Sequence, residues 1–445
     1  MSATMILLIA VFVLLALILS NVPVAFSLLA SGAIGLVLLR NSDYAFNTLA
    51  DQPFNIAASF TLTLIPMFII MGMFVVQAGM AKDVYALAAR VFARTPAGLG
   101  YATVAACAGF AAVTGSSAAT VATIGRISVG EMRRNGYNPG FAAAIVAAAG
   151  TLGILIPPSV VLVIYGTLSG ESIGELLIAG IIPGILSAFM YAVVVWWRSG
   201  KEIGEPENPV DGIPEAREGE QIDKSRQVFA AIKIGVLFTI VIGGIYSGIF
   251  TATESGAIAA AAAMIIFIYS AARRREVRFW KGMREALQET TAVSSMIFML
   301  LIGGGVFAFF MASGGYARDF AYWATELQIA PMLIIVVFLL IMIPLGMILD
   351  SLSIILITVP LLHPVALEFG FDGIWFAILV VKTIELGLIT PPVGLNVFVV
   401  SGAVPDVSSE QVFRAVWPFV IIELVTVSIL FAIPQLVTWL PSMIS

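Results

Sequence analysis

The 445-residue sequence contains little cysteine, little histidine and little charge. Its single cysteine, Cys107, excludes an internal disulfide and a cysteine metal cluster. Its single histidine, His363, argues against a histidine-ligated transition metal and against a catalytic triad, so we expect no cofactor and no enzyme. Charged residues make up only 11% of the chain, and the net charge of −5 provides no basic surface for nucleic acid.

Hydrophobic residues, in contrast, make up 60% of the chain. Soluble proteins contain roughly 45–50% apolar residues and about 25% charged ones. Because no soluble core of this length needs so many apolar residues, the composition predicts a polytopic protein embedded in a lipid bilayer. The apolar run at 5–19 lacks a basic leader and an A-x-A-like cleavage site, which indicates a retained helix and not a signal peptide.

Apolar segments of the roughly 20 residues that a bilayer requires predict an all-α fold with about ten spans. These segments are 4–20, 24–39, 61–80, 141–167, 176–197, 228–248, 254–271, 291–311, 373–403 and 416–440. Two further apolar stretches, about 98–125 and 331–364, have small polar residues at their centres. Each predicts a re-entrant helical hairpin; an ordinary span with a small-residue packing face is the alternative.

The distribution of lysine and arginine favours the hairpins. Short cytoplasmic loops carry an excess of these residues. With a periplasmic N-terminus and two re-entrant hairpins, nearly all of them lie in the cytoplasmic segments 81–97, 126–140, 198–227, 272–290 and 404–415. Treating either hairpin as a single span inverts every later loop and places basic clusters on both sides of the membrane.

The two halves of the chain repeat each other. The central glycines of the two hairpins, Gly115 and Gly346, lie about 230 residues apart, and so do the matching Gly-x-x-x-Pro-Pro runs at 153–158 and 387–392. Equivalent segments start on opposite faces of the membrane in this topology. Such an inverted repeat is typical of secondary transporters that bind their substrate near the membrane midplane.

This repeat divides the chain into three parts. The first inverted repeat is 1–197, with its hairpin at about 98–125 and its helix break at about 153–158. The segment 198–227 is a polar cytoplasmic linker with eight acidic residues between 202 and 223. The second inverted repeat is 228–445, with its hairpin at about 331–364 and its break at about 387–392.

Each hairpin is followed by a span that breaks at a double proline. Proline removes an amide donor and clashes with the preceding turn, so two prolines in succession interrupt a helix. Interrupted backbone at membrane depth is tolerated only inside protein or along a wet cavity. There, freed carbonyls can coordinate a hard cation and half-helix N-termini can face an anion. We therefore predict sodium sites and no transition-metal site.

The predicted sodium ligands come from the hairpin tips and the breaks that follow them. The first set combines Thr114, Ser116 and Ser117 with Gly153, Ile156 and Pro158; the second combines Gly346, Asp350 and Ser351 with Gly387, Thr390 and Val393. The substrate-binding candidates are Thr120, Ser159 and Asn396. For any one of these residues alone, helix packing or back-bonding to the preceding turn is the alternative explanation. Their matched positions in two halves favour a site.

Charged residues in apolar segments are functional candidates in a membrane protein. Asp350, at the second hairpin tip, is the strongest of them. Lys382 and Glu385 are three residues apart and can pair along one helix face, so we interpret them as a structural pair. His363 precedes a proline and is interpreted as a hairpin-end residue, with a role as a proton relay left open.

Several motifs together resemble a known family. They are Gly-Ser-Ser-Ala-Ala-Thr-Val-Ala-Thr-Ile-Gly at 115–125, Ile-Pro-Pro-Ser at 156–159, Gly-Met-Ile-Leu-Asp at 346–350 and Thr-Pro-Pro-Val-Gly-Leu-Asn at 390–396, with further matches at 21–26 and 248–254. Essentially from end to end, the chain resembles the large permease subunit (DctM-like) of TRAP transporters, the tripartite ATP-independent periplasmic uptake systems.

The resemblance implies a multi-pass permease of the bacterial inner membrane that takes up organic acids, such as C4-dicarboxylates, sialic acid and other sugar acids. It implies sodium coupling, with sodium at the tips and breaks named above. It also implies a transport domain that moves like an elevator against a scaffold. Two partners follow from it: a small four-helix membrane subunit and a periplasmic substrate-binding protein.

Two positions depart from the family pattern. An acidic residue often follows Gly-Ser-Ser in the first hairpin, where this chain has Ala-Ala-Thr-Val at 118–121, and Ala252 stands where the family often has proline. No four-helix region precedes the first predicted span, so we expect the small subunit to be a separate chain. The alternative function is a self-sufficient sodium- or proton-coupled anion carrier or antiporter of a related inverted-repeat fold, which needs no binding protein.

Overall fold

The computed structural model describes residues 2–204, 224–274, 277–326 and 328–443, and within these ranges the chain forms helices and no strand. Most of the predicted polar linker, 205–223, lies outside the described residues. The helices before it are α1 Ala3–Leu19, α2 Val24–Leu39, α3 Ser42–Ala57, α4 Leu64–Gln77, α5 Met80–Val91, α6 Gly98–Thr114, α7 Ser117–Arg134, α8 Pro139–Gly150, α9 Leu152–Leu155, α10 Val160–Ser169, α11 Ile173–Ala179 and α12 Ile181–Glu202.

The remaining helices come after the linker. They are α13 Lys224–Phe238, α14 Gly244–Tyr246, α15 Ala252–Arg273, α16 Phe279–Gly314, α17 Tyr316–Glu326, α18 Pro331–Ile348, α19 Ser351–Glu368, α20 Gly373–Ile389, α21 Leu395–Ala403, α22 Ser409–Ala432 and α23 Gln435–Thr438. A π-helical segment, Thr239–Gly243, joins α13 to α14, so that 228–246 is one continuous helix.

Membrane-length helices dominate this architecture. Within the described ranges, eight helices are long and apolar enough to cross a bilayer, or nine if the bent pair 139–155 and 160–169 counts as one span. α1 and α2 are apolar but have only 17 and 16 residues. The expectation of an all-helical membrane protein is confirmed.

Two details differ from the sequence expectation. The third expected span, 61–80, ends at Gln77, because the chain turns at Gly79, whose φ is +70°, before α5 begins. α3, between the second and third spans, is an amphipathic helix that begins with Asn41 as its cap and contains Pro53. The apolar-run criterion did not detect this helix because one of its faces is polar.

Both apolar stretches with polar centres form pairs of helices. α6 and α7 pack against each other and are joined by Gly115 and Ser116. α18 and α19 are likewise in contact and are joined by Leu349 and Asp350. α7 continues to Arg134, beyond the expected end at 125. α19 continues to Glu368, beyond the expected end at 364, because Pro364 lies inside the helix and does not end it.

The two halves of the chain interleave. α2 packs along the long helix α16, and α4 packs along α15, so each of these pairs joins an early helix to a late one. The same holds for the helices around the hairpins, where α8 packs on α22 and α10 on α19. Residues from both hairpins and both breaks are therefore brought into one region of the molecule.

Candidate functional site

The first hairpin tip lies directly on the first helix break. The backbone of Gly115 has φ +58°, and a Cβ at this position would lie 2.6 Å from the Pro158 carbonyl oxygen. A Cβ at Gly153 would lie 2.8 Å from the Ser116 carbonyl oxygen. Only glycine permits both this left-handed turn and this approach of backbone to backbone. The structure thus brings Ser116 against Gly153 and the tip glycine against Pro158, whereas the Ile156 side chain lies against Gly184.

The second hairpin meets the second break through glycine as well. A Cβ at Gly387 would lie 2.6 Å from the Cα of Gly346. α18 and α20 therefore cross with their backbones in contact, one turn before the break at Pro391 and Pro392. Thr390, the last residue before those prolines, is largely buried and donates its hydroxyl to the Leu386 carbonyl at 2.6 Å.

Asp350 lies at the turn of the second hairpin and caps α19. Its Oδ2 accepts the backbone N–H groups of Leu352 at 3.1 Å and Ser353 at 3.2 Å, and its Oδ1 accepts the Ser353 hydroxyl. Among the described residues, these hydrogen bonds of Asp350 all remain within α19. Its neighbour Ser351 is buried, whereas Val393 beyond the break is partly exposed. The carboxylate therefore organises the tip and is not bonded to the break.

Asn396 connects the two halves. The fully buried side-chain amide donates through Nδ2 to Ser117 Oγ at 2.7 Å and to the Ala147 carbonyl at 3.2 Å. Its Oδ1 is buried and, within the described part of the chain, has no hydrogen-bond partner. A buried acceptor without a partner is costly. The N–H donors of this expected substrate ligand thus bind other parts of the protein, and only its side-chain oxygen is available to a donor or a cation.

The other selected hydroxyls are bonded to their own chain segment. Thr114 Oγ1 lies 2.9 Å from Thr120 Oγ1, and Thr120 donates to the Ser116 carbonyl at 2.8 Å. The Ser116 hydroxyl accepts the Ala119 N–H at the start of α7, and the Ser159 hydroxyl accepts the Leu162 N–H at the start of α10. These side chains cap helices or bond back to the preceding turn, as the alternative explanation expects.

Four helix N-termini lie at the hairpin tips and helix breaks. α7, α10, α19 and α21 all begin at a hairpin tip or just after a break. The Asn396–Ser117 bond brings the starts of α7 and α21 together, and position 115 would hold a Cβ 3.5 Å from the Val160 backbone nitrogen at the start of α10. Three helix N-termini therefore converge, and each carries a partial positive charge that attracts anions.

A buried charge cluster contains one residue, Glu423, that the sequence pattern did not single out. Lys382 Nζ lies 2.8 Å from Glu385 Oε2, as the interpreted pair requires, but it also contacts Glu423 Oε1 on α22. All three side chains are fully buried. An ionisable residue in the middle of a predicted span was the available signal for Glu423.

His363 lies in a second buried polar contact. Its Nδ1 is 3.0 Å from the Tyr165 hydroxyl and its Nε2 is 3.2 Å from Glu171 Oε1. Glu171 lies in the loop between α10 and α11, outside the spans. Partial burial, and then the nearby carboxylates of Asp372 and Glu175, raise the pKa of Glu171. The histidine thus joins the second hairpin to the first half of the chain.

The chain is similar to known proteins over nearly its whole length. The family described as "Tripartite ATP-independent periplasmic transporter, DctM component" matches residues 11–436. A relative from Pseudomonas aeruginosa, described as "C4-dicarboxylate TRAP transporter large permease protein DctM", is 35% identical over 418 residues, 94% of each chain. The "Isethionate TRAP transporter permease protein DctMQ" of Oleidesulfovibrio alaskensis is 32% identical over 94% of this chain and 63% of its own.

A solved structure shows the same fold at low sequence identity. The Alcanivorax borkumensis YdaH transporter superposes with a TM-score of 0.65 over 94% of this chain and 98% of its own, at 14% identity. This likeness supports the membrane-transporter fold alone.

Proposed function

Because the chain belongs to the DctM component family of tripartite ATP-independent periplasmic transporters, we propose that it is the permease subunit of a sodium-coupled uptake system for organic acids. The substrates would belong to the C4-dicarboxylate, sialic acid or sugar acid class. The relatives named for C4-dicarboxylates and isethionate transport small organic anions, which supports an anionic substrate.

The observation that carries this proposal is the convergence of three helix N-termini at the first tip. The starts of α7 and α21 meet through Ser117 and Asn396, and the start of α10 lies beside Gly115. Unpaired amide donors and aligned peptide dipoles favour a negatively charged group at such a place. A carboxylate bound here would not need an arginine, and none lies at either tip.

The residues also fit sodium. The close contacts of Gly115 with Pro158, and of Gly153 with Ser116, place backbone carbonyls where tip and break meet. Asn396 Oδ1, which has no hydrogen-bond partner among the described residues, lies at the same junction and is an oxygen ligand of the type that hard cations prefer. We propose that sodium bound by these oxygens holds the tip on the break and completes the anion site.

The proposed cycle moves the hairpins and breaks, together with α22, as one transport domain against a scaffold that includes α2 and α16. The substrate would bind after sodium has neutralised the partial negative charges of the carbonyl groups that surround the ion. The loaded domain would then cross the membrane in an elevator-like movement. Specificity would reside largely in a periplasmic binding protein, because the tips carry no side chain that selects one acid.

The proposed partners are that binding protein and a small four-helix membrane subunit. The fused name of the Oleidesulfovibrio relative, together with its additional length, supports a second membrane component. The proposed location is the bacterial inner membrane.

Uptake into proteoliposomes tests the proposal. Labelled organic acids are added under an inward sodium gradient to vesicles that contain this chain alone, or this chain with its small subunit and cognate binding protein. We expect sodium-dependent uptake only when all three are present. Uptake by the chain alone would instead establish a self-sufficient carrier, and uptake without a sodium gradient would overturn sodium coupling.

A further inference from the structure

Two cationic side chains share one aromatic ring on the outer face of α13 and α15. Lys233 Nζ lies 5.2 Å from the centroid of the Tyr269 ring, and the guanidinium carbon of Arg273 lies 5.4 Å from the same centroid. Both distances are within the range of a cation–π contact. Lys233 belongs to α13 and the other two residues to α15, so the ring gathers positive charge from two helices at an exposed place.

The charges of these two cations are not neutralised within the described part of the chain. Arg274 donates hydrogen bonds to Asp83 Oδ2 and to the Ala78 carbonyl, so the nearby buried aspartate is engaged by that arginine. Among the described residues, neither Lys233 nor Arg273 forms an ion pair with a carboxylate. A cation–π contact stabilises a cation but leaves its charge in place. The ring therefore presents two positive charges to an anion.

The pair lies at one boundary of the membrane. Lys233 is five residues inside the apolar span 228–246, which corresponds to a depth of about 8 Å along the helix. Arg273 is the last residue of α15. This boundary is cytoplasmic in the predicted topology. A cation within a lipid-facing span is unfavourable unless water or an anion reaches it, so the position of Lys233 favours a bound anion.

The surface beside the pair, toward the membrane centre, is apolar and exposed. Ile232 and Val236 on α13 are exposed, and so are Ile265 and Ile268 on α15. The opposite faces of the two helices pack inward, α13 on α5 and α6 and α15 on α4. An exposed hydrocarbon surface thus adjoins two positive charges. Phospholipids of negative charge combine the same two features, an anionic headgroup and apolar chains.

We propose that Lys233, Tyr269 and Arg273 bind the headgroup of an anionic phospholipid, whose acyl chains lie along the exposed apolar face of α13 and α15. The phosphodiester supplies the negative charge that the pair lacks, and basic sites between helices at the cytoplasmic boundary suit such headgroups.

The Tyr269 ring prepares this site. It holds the Lys233 and Arg273 side chains in place before the lipid arrives, so less conformational entropy is lost on binding. A lipid bound here contacts both α13 and α15 and joins the two helices at their ends. The inference depends on the location of these helices in a membrane, and it does not depend on the substrate or on sodium coupling.

Native mass spectrometry of the delipidated full chain tests the proposal. Phosphatidylglycerol and phosphatidylcholine with identical acyl chains are titrated separately, so that only the headgroup differs. We expect tighter binding of phosphatidylglycerol, with an affinity that falls as the salt concentration rises because exposed charges are screened. Equal affinity for the two lipids would overturn the proposal. Binding of glycerol phosphate as tightly as the whole lipid would overturn the assignment to a phospholipid.

Variants locate the site. Lys233→Gln and Arg273→Gln should each weaken phosphatidylglycerol binding roughly 5-fold, the equivalent of about 1 kcal/mol per cation, and should leave phosphatidylcholine binding unchanged. Tyr269→Phe retains the ring and should bind like the wild type, whereas Tyr269→Leu should bind phosphatidylglycerol more weakly. Lys281→Gln, at an exposed pair with Glu285, removes the same charge and is the matched control that should retain the affinity. An equal loss in Lys281→Gln would assign the preference to overall charge and overturn the site.

Discussion

The side-chain amide of Asn396 donates a hydrogen bond to Ser117 Oγ at 2.7 Å, although the two residues are 279 positions apart in the chain. This bond joins the start of α21, just after the second break, to the start of α7, just after the first tip. The candidate site therefore contains residues from both halves of the protein, and neither half alone supplies all of them.

Removing this bond should weaken sodium-dependent uptake. Asn396→Ala leaves Ser117 and the Ala147 carbonyl with fewer partners in a buried place, at a cost of about 1–3 kcal/mol. We expect the sodium concentration for half-maximal uptake to rise by roughly 5- to 150-fold. The matched control is Asn135→Ala on the exposed end of α7, which should leave it unchanged. An unchanged sodium response in Asn396→Ala would contradict the proposed site.

Gly115→Ala should destabilise the first tip. A left-handed φ costs a residue with a Cβ about 1–2 kcal/mol, and here the Cβ would also lie 2.6 Å from the Pro158 carbonyl oxygen. We expect a lower melting temperature and lost transport. Gly130→Ala, on α7 in open space, is the matched control. Alanine favours a helix by about 1 kcal/mol over glycine, so this control should be neutral or stabilising. Equal melting temperatures for both variants would show that the tip does not need glycine.

Two substitutions of Asp350 separate its charge from its capping role. Asparagine also caps helices well, so Asp350→Asn should retain the α19 cap and the melting temperature while weakening the sodium dependence of uptake. Asp350→Ala should lose both, with a loss of stability of about 0.5–2 kcal/mol. Full sodium dependence in Asp350→Asn, together with full dependence in Ser117→Ala, would refute the sodium assignment of these residues.

Lys382→Met should destabilise the protein more than any exposed lysine substitution. It leaves two buried carboxyl groups without their cation, and breaking a buried pair in this way costs about 3–5 kcal/mol. Lys281→Met, at an exposed pair with Glu285, is the matched control and should have little effect. The measurement is thermal unfolding in detergent or in nanodiscs. A melting temperature equal to that of the wild type would show that Lys382 does not stabilise the cluster.

Local patterns in the sequence determined much of this protein. The long apolar runs predicted an all-helical membrane fold, because a helix satisfies its own backbone hydrogen bonds in lipid. A glycine at each turn and a pair of prolines within a span indicated the tips and breaks, because both residue types change the backbone conformation within a few residues. The polar residues at these places were found for the same reason, although most of their hydroxyl groups cap helices or bond back to the preceding turn.

Only the tertiary structure decided which of these residues meet. The Asn396–Ser117 bond, the use of the Asn396 amide by the protein itself, and the third member of the Lys382 cluster, Glu423, all depend on contacts between helices distant in the chain. Periodicity and motif spacing describe how a segment folds on itself, whereas these contacts depend on how helices pack side by side. That packing is set by the combined shape of many side chains, which no short stretch of sequence contains.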